Sequence, residues 1–296
     1  MKVLNYGSLN VDYVYSVDHI IVGGETQHSS KLEVFSGGKG LNQSIALAKA
    51  GVPVYHAGIV GIDGDILLDA CKEAGVNTKY IRRLPVKGGH TMIQVDKNAQ
   101  NCIILYGGTN QMQTKEFVDE VLADFGEGDY LILQNEINML DYIIDQAYEK
   151  KMKIVMNPSP FDDKLNSCDL GKVYLFLVNE IEGEQITGCK DKDQILDALA
   201  AKFPNARFVL TLGSEGAVYY DGKEKVFQDI FKVKAVDTTA AGDTFTGYFI
   251  AATLEGRSIQ EALRMAAKAS SIAVSRPGAT PSIPTADEVK KELGML

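Results

Sequence analysis

Asp237-Thr238-Thr239-Ala240-Ala241-Gly242-Asp243-Thr244-Phe245-Thr246-Gly247 is the stretch on which the reading of this chain turns. Ala240-Ala241-Gly242 carries no bulky side chain, so a ligand can approach its backbone N–H groups closely. Beyond it, Phe245, Tyr248, Phe249 and Ala252 recur at the i, i+3, i+4, i+7 spacing of one helix face. Gly256, next to Leu254-Glu255, supplies the stop. The spacing predicts a helix whose N-terminus is the small-residue run, where free N–H groups and the helix dipole favour an anion. Asp243 falls in its first turn. A cradle for negative charge beside a carboxylate that accepts a proton is what phosphoryl transfer to an alcohol requires. The plainer alternative is a capped helix in which Asp243 only complements the dipole.

Outward from this stretch the chain alternates strand and helix. Short apolar runs occur at Val3–Tyr6, Tyr130–Leu133, Lys153–Met156, Val173–Val178 and Arg207–Leu210. Helical patterns lie between them, at Asn42–Ala50 ended by Gly51, Asp65–Ala74 ended by Gly75, Met139–Lys151 and Asp193–Phe203. Thr114 is placed to cap a helix reaching Phe125. Ser258-Ile259-Gln260-Glu261 has the form of a capping box, with Pro277-Gly278 ending the helix it opens. Continuous apolar strands alternating with helices indicate a parallel sheet covered on both faces.

Two stretches break that rhythm. Tyr13–Val17 and Ser30–Phe35 flank a turn at Gly23-Gly24, and Thr91–Val95 and Cys102–Tyr106 flank a turn over Asp96–Asn101. Their alternation suits an antiparallel sheet with one open face, and the two pieces are expected to form a small separate sheet. Polar residues cluster where the apolar strands end: Gln134-Asn135-Glu136, Asn157, Asn179-Glu180 and Thr211. Each alone fits a turn, but ligands in open α/β sheets bind at the carboxyl ends of strands, and four such positions together favour a site there.

Composition narrows the function classes. The 296 residues are 45% hydrophobic and 23% charged, an ordinary globular mix, and the net charge of −9 argues against nucleic acid or an anionic membrane as partner. Cys71, Cys102, Cys168 and Cys189 form no close pair and read as free thiols of a reducing compartment. The N-terminus reads as a first strand rather than a signal peptide, so a cytoplasmic location is expected. His19, His28, His56 and His90 lack metal-ligand spacing and read as surface or turn residues. Asp63-Gly64-Asp65 reads as a turn leading into a helix.

A second glycine-rich stretch, Ser36-Gly37-Gly38-Lys39-Gly40-Leu41-Asn42, is not a Walker A loop, because Gly40 follows the lysine where Ser or Thr belongs. Taken alone it fits a turn with a solvated lysine. Asn10 and Asp12 are two apart, so on a strand their side chains share a face and can grip vicinal hydroxyls; a solvated strand face is the alternative. No G-x-G-x-x-G fingerprint follows the first strand, which leaves a dehydrogenase without its dinucleotide site. No G-x-S-x-G elbow marks a serine hydrolase.

Together these motifs resemble the ribokinase, or PfkB-type, sugar kinase family. The likeness runs from Gly7 to Ser282 with the motifs in the family's order. Gly7–Asp12 and Ser36–Asn42 resemble its sugar-binding segments, Gly24-Glu25-Thr26 its lid turn, and Asp237–Gly247 its C-terminal signature. Asn179-Glu180-Ile181-Glu182 resembles its N-x-x-E motif, associated with magnesium and phosphate placement, and Thr211–Gly216 its nucleotide loop. The resemblance implies a single ribokinase-like domain over residues 1–296, a doubly wound, mostly parallel α/β body with a β lid at about 12–35 and 90–106.

It also implies an ATP-dependent sugar kinase, with ribose as the leading acceptor. Asp243 would be the base, and Ala240, Ala241 and Gly242 the anion cradle. Asn10, Asp12, Gly38, Lys39, Asn42 and Glu136 would hold the sugar, and Asn179, Glu182, Thr211, Gly213 and Gly216 the nucleotide with Mg2+. Asp237, Thr239, Ala273, Gly278 and Ser282 would enclose a monovalent cation, normally K+, in all-oxygen surroundings. A homodimer through the lid is expected. Two departures stand out: Tyr248 occupies a usually small position, which bears on helix packing, and Gly23-Gly24 lacks the proline common before the lid turn. A nucleoside kinase of the same family, with Tyr13 or Met92 walling a base, and a non-catalytic sugar-binding regulator are the alternatives. A sugar-phosphate kinase would need basic residues beyond Lys39.

Overall fold

The computed structural model describes residues 1–98 and 100–295, so Ala99 of the expected 96–101 turn lies outside the described residues. In chain order its strands are β1 (Val3–Tyr6), β2 (Asn10–Ser16), β3 (Lys31–Gly37), β4 (Val54–Val60), β5 (Asn77–Arg83), β6 (Gly89–Val95) and β7 (Asn101–Tyr106). β8 (Tyr130–Gln134), β9 (Lys153–Asn157), β10 (Leu175–Asn179), β11 (Arg207–Thr211), β12 (Ala217–Tyr220) and β13 (Lys225–Gln228) follow. The helices are α1 (Lys39–Lys49), α2 (Asp65–Ala74), α3 (Lys115–Leu122), α4 (Leu140–Glu149), α5 (Glu180–Thr187), α6 (Lys192–Lys202), α7 (Ala241–Leu254), α8 (Ile259–Val274) and α9 (Ala286–Glu292).

The large sheet runs β13-β12-β11-β10-β9-β8-β1-β4-β5 and is parallel from β11 to β5. Only β12 and β13, at one edge, are antiparallel. Both faces are covered, as continuous apolar strands require. Successive residues of one strand enter opposite cores. Leu4, Leu131, Leu133 and Phe176 pack toward the side of α3 to α6, whereas Val3, Ile132, Val155 and Leu177 pack toward α1, α2, α7 and α8. The doubly wound, mostly parallel α/β architecture with a smaller separate sheet expected above is the one observed. Among the described residues no helix is long and apolar enough to cross a membrane.

The small sheet runs β3-β2-β6-β7. Each of its two hairpins is antiparallel, but they join through β2 and β6 in parallel, so the sheet is mixed rather than wholly antiparallel. Two local expectations change. α1 begins at Lys39, three residues before the predicted start, because Gly38 takes φ +92° and the chain turns directly into the helix. His56 is not a surface residue: the alternation of β4 points it under α1, where it is fully buried, and Nδ1 lies 2.8 Å from Ser44 Oγ. Burial drives its pKa down to about 4.

Tyr248 is accommodated without strain on its polar end. α7 is buried almost all round, and the Tyr248 hydroxyl donates to the Pro284 carbonyl at 2.8 Å. Left unpartnered, that hydroxyl would cost about 1–3 kcal/mol.

Candidate active site

The site is built where strand ends meet the N-termini of α1 and α7. Ala240 caps α7 at φ +58°, a left-handed conformation that costs a non-glycine residue roughly 1–2 kcal/mol. Its effect is to turn the chain so that the first N–H groups of α7 point outward. Ala241 N–H turns back weakly to the Thr238 carbonyl at 3.2 Å. For Gly242 and Asp243 no protein acceptor exists among the described residues, and a side chain on Gly242 would meet nothing within 4 Å. The anion cradle read from the sequence is therefore open at Gly242 and Asp243 and half-closed at Ala241.

The Asp243 carboxylate is buried, with each oxygen held by an amide from α1. Asn42 Nδ2 donates to Oδ2 and Gln43 Nε2 to Oδ1, both at 2.9 Å. Asn42 thus spends one of its two donors on Asp243, and its buried Oδ1 has no partner among the described residues. Such an unpaired atom is an opening for a ligand hydroxyl.

On the side of the small sheet, Asn10 Oδ1 accepts from Asn110 Nδ2 at 2.7 Å, which leaves the Asn10 amide donors for the cleft. Asp12 accepts from Thr91 Oγ1 at 2.6 Å. Gly37, the register partner of Asn10, keeps room for the Asp12 carboxylate, which a Cβ there would meet at 1.8 Å. Glu136 accepts from Ser8 Oγ and from the Lys39 N–H at 3.0 Å, which ties the end of β8 to the start of α1.

The charges in the cleft are coupled. Burial lifts the Asp12 pKa to about 6, despite the Thr91 hydrogen bond, and the nearby charge of Glu136 adds to the lift. Glu136 is also raised by burial, with Lys39 and Ser8 opposing. Burial disfavours the Lys39 ammonium, but the carboxylates of Asp243, Glu136 and Glu182 outweigh it and hold the lysine above its ordinary value. Lys39 is therefore a fixed positive charge between the two halves of the cleft.

Asn10, Asp12, Gly38, Lys39, Asn42 and Glu136 all line one cleft of about 440 Å3, as do Ala240, Ala241, Gly242 and Asp243 at its other side. Asn179, Glu182, Thr211 and Thr239 border the same space. Asn179 and Glu182 form a capping box on α5: each backbone N–H donates to the other's side-chain oxygen, and Asn179 Nδ2 also donates to Glu182 Oε1 at 3.1 Å. Gly213 and Gly216 sit just beyond, and Gly216 at φ +111° approaches the Gln228 carbonyl where no side chain would fit.

Asp237, Ala273, Gly278 and Ser282 do not line the cleft. Asp237 instead ties the turn before α7 to the segment after α8, accepting from the N–H groups of Thr239 at 2.8 Å and Gly278 at 2.9 Å. The fully buried Ser282 hydroxyl donates to the Ala279 carbonyl. Among the described residues no group of three His, Cys, Asp or Glu side chains could hold a metal ion by itself, and all four cysteines are unpaired.

Tyr13 and Met92 are not in the cleft. Asn10, Asp12, Thr91 and Ile93 face it, so their odd-even neighbours Tyr13 and Met92 lie on the opposite face of the small sheet. The proposed walls for a nucleoside base therefore point away from the site. Sequence reasoning also missed Gln43 and Thr91. Gln43 had a signal in being a second amide directly after Asn42; Thr91 had none short of knowing that β2 pairs with β6.

The model of the pfkB family of carbohydrate kinases matches residues 1–286. The ribokinase of Haemophilus influenzae is 34% identical over 95% of each chain. The crystal structure of ribokinase from Thermotoga maritima superposes with a TM-score of 0.88, at 32% identity and 99% of each chain. A structure of Arabidopsis thaliana ribokinase complexed with ribose and ATP gives 0.87, at 29% identity, over 99% of this chain and 98% of that one.

Proposed function

The chain belongs to the pfkB family of carbohydrate kinases, and from that premise we propose that it transfers the γ-phosphate of ATP to a hydroxyl of ribose. The observation that carries this reading is the pairing at the α7 N-terminus: a buried, doubly held Asp243 carboxylate beside outward-facing N–H groups. Asp243 accepts the proton of the sugar hydroxyl as its oxygen attacks phosphorus. The N–H groups of Gly242 and Asp243, with Ala240 and Ala241 shaping the turn, hold the charge on the transferring group. Asn10, Asp12, Gly38, Lys39, Asn42 and Glu136 bind the sugar hydroxyls, and the Lys39 ammonium also keeps a positive charge in the cleft. Polar ligands at the base of the small sheet, with Lys39 the one basic residue lining the cleft among the described residues, suit a neutral sugar better than a sugar phosphate.

Asn179, Glu182, Thr211, Gly213 and Gly216 form the nucleotide side. Among the described residues no group of three acidic, His or Cys side chains could hold Mg2+, so it would be held mainly by phosphate oxygens and water, with Glu182 as the carboxylate on the nucleotide side of the cleft. When bound, Mg2+ would supply neutralisation of the phosphate charge. The Asp237 carboxylate with the carbonyls of Thr239, Ala273 and Gly278 and the Ser282 hydroxyl is an all-oxygen set that fits K+, which would steady the turn at Ala240. The outer face of the small sheet, where Val34, Met92 and Ile104 form an exposed apolar row, supports a homodimer through the lid. Its four free thiols support a cytoplasmic location.

The test is ADP release with MgATP, with and without K+, across ribose, deoxyribose, fructose and adenosine. Ribose is expected to give the highest kcat/KM, and Asp243→Asn to lower kcat by ~10²–10⁴ while KM moves little. Adenosine as the preferred acceptor would transfer the protein to nucleoside phosphorylation. Ribose that shifts the melting temperature without any turnover would make it a sugar-binding protein.

A further inference from the structure

Gln43 can help the Asp243 carboxylate only by presenting its NH2 end, and an amide side chain turned over would set oxygen against oxygen. What turns it the right way is a chain of buried amides beneath α1. Asn5 Nδ2 donates to the Gly40 carbonyl at 2.7 Å and to Ser44 Oγ at 2.9 Å. A backbone carbonyl can only accept, so the Asn5 amide has one orientation, and its Oδ1 faces β8. There it accepts from Gln134 Nε2 at 2.9 Å. The second Gln134 proton goes to Gln43 Oε1 at 2.7 Å, which leaves Gln43 Nε2 for Asp243 Oδ1 at 2.9 Å. A second carbonyl imposes the same polarity from the other side. Asn157 Nδ2 donates to the Leu177 carbonyl at 2.8 Å, so Asn157 Oδ1 takes the remaining Gln43 proton at 3.3 Å.

Gln134 bears a cost for this order. Its Oε1 is buried without a partner, in the slot left by Gly7, where a side-chain carbon would come within 2.1 Å. Unpartnered buried carbonyls are rarely kept. Turning the amide over would not relieve it, because the oxygen would then meet Asn5 Oδ1 and Gln43 Oε1. At the far end Ser44 Oγ, accepting from Asn5, also shares a hydrogen bond with His56 Nδ1 at 2.8 Å. The depressed pKa of that imidazole keeps it neutral, so the chain carries no second charge.

We propose that Gln43 and Gln134 are positioning residues for phosphoryl transfer: a directional amide relay, anchored on the Gly40 and Leu177 carbonyls, that holds the Asp243 carboxylate toward the acceptor hydroxyl. The proposal rests on the kinase reading of the site given above. Gln134 touches neither Asp243 nor the cleft and acts only through Gln43.

The experiment is a double-mutant cycle in kcat and KM on the full chain, using wild type, Gln43→Met, Gln134→Met and the double variant, with melting temperatures measured in parallel. Gln43→Met is expected to lower kcat ~10–100-fold, the range for a hydrogen bond to a charged group. KM for ribose and ATP should stay within about threefold, because the interaction matters at the reacting centre. Gln134→Met should lower kcat by about 3–10-fold, and the double variant should be no worse than Gln43→Met alone. Losses that multiply, or a KM rise at constant kcat, would overturn the relay. If Gln134→Met fails to fold, Asn5→Ala takes its place in the cycle with the same expectation of no added loss. An inactive wild type would sink the kinase reading and the relay together; an active wild type with multiplying losses would sink the relay alone.

Discussion

Asp12 and Asp243 are both buried carboxylates, and their neighbours give them different work. Asp243 has two amide donors, one per oxygen. Asp12 has one hydroxyl donor and faces the charge of Glu136, and burial holds its pKa near 6 against an ordinary 3.8. The sign follows from the direction. Between 3.8 and about 6 the folded protein carries a proton on Asp12 that the unfolded chain has lost. Ionised Asp12 therefore costs stability above about pH 6, and that cost is relieved as pH falls through the window. For binding the sense is opposite, since only the carboxylate accepts from two sugar hydroxyls. The KM for ribose is expected to rise as pH falls below about 6, and Asp12→Asn to give a higher KM that no longer varies there. A KM equally pH-dependent in both proteins would remove Asp12 from the sugar site. At this scale Asn10, Asp12, Asn42 and Asp243 were all legible from motif chemistry. Thr91 was not, because what makes it matter is a partner 79 positions away.

Among the elements, α5 shows how one pair can serve two ends. Asn179 and Glu182 close a capping box and also border the cleft, so a residue pattern associated with the nucleotide is equally a helix start. Asn179→Ala is expected to lower unfolding free energy by about 1 kcal/mol in urea titration, as loss of an N-cap does. On the proposed reading it also raises KM for ATP and leaves KM for ribose unchanged. A stability loss with both KM values intact would leave the pair a cap and nothing more. Elements with strong period or clear caps were legible: α2, the Thr114 cap of α3 and the Ser258 box of α8 stand where their residues place them. β4, β5, β12 and β13 were not anticipated. β5 and β13 present mixed polar and apolar side chains, since sheet edges are covered on fewer sides than the centre. His56 was misplaced for a related reason: a polar side chain inside β4 has no local mark of burial, only the α1 residue that covers it.

For the whole molecule, the small sheet has two faces of different character. One lines the cleft with Asp12, Thr91 and Ile93; the other sets Val34, Tyr13, Met92 and Ile104 in a row across all four strands. With Ile104 61% exposed on an edge strand, a charge at its centre should prevent pairing of two such faces. Ile104→Lys is expected to halve the solution mass measured by light scattering, from dimer to monomer. A wild type that is already monomeric would remove the lid-mediated dimer. The amino-acid sequence by itself determined the alternation of strands and helices, the two glycine-rich turns and the residue types of the site, because propensity, capping and motif chemistry act within a few residues of one another. Only the tertiary structure decided that Asn42 and Gln43 reach an aspartate some 200 positions later, that Tyr13 and Met92 turn their backs on the cleft, and that His56 lies inside. Those facts depend on strand register and on which helix covers which face, and both arise only when distant segments pack together.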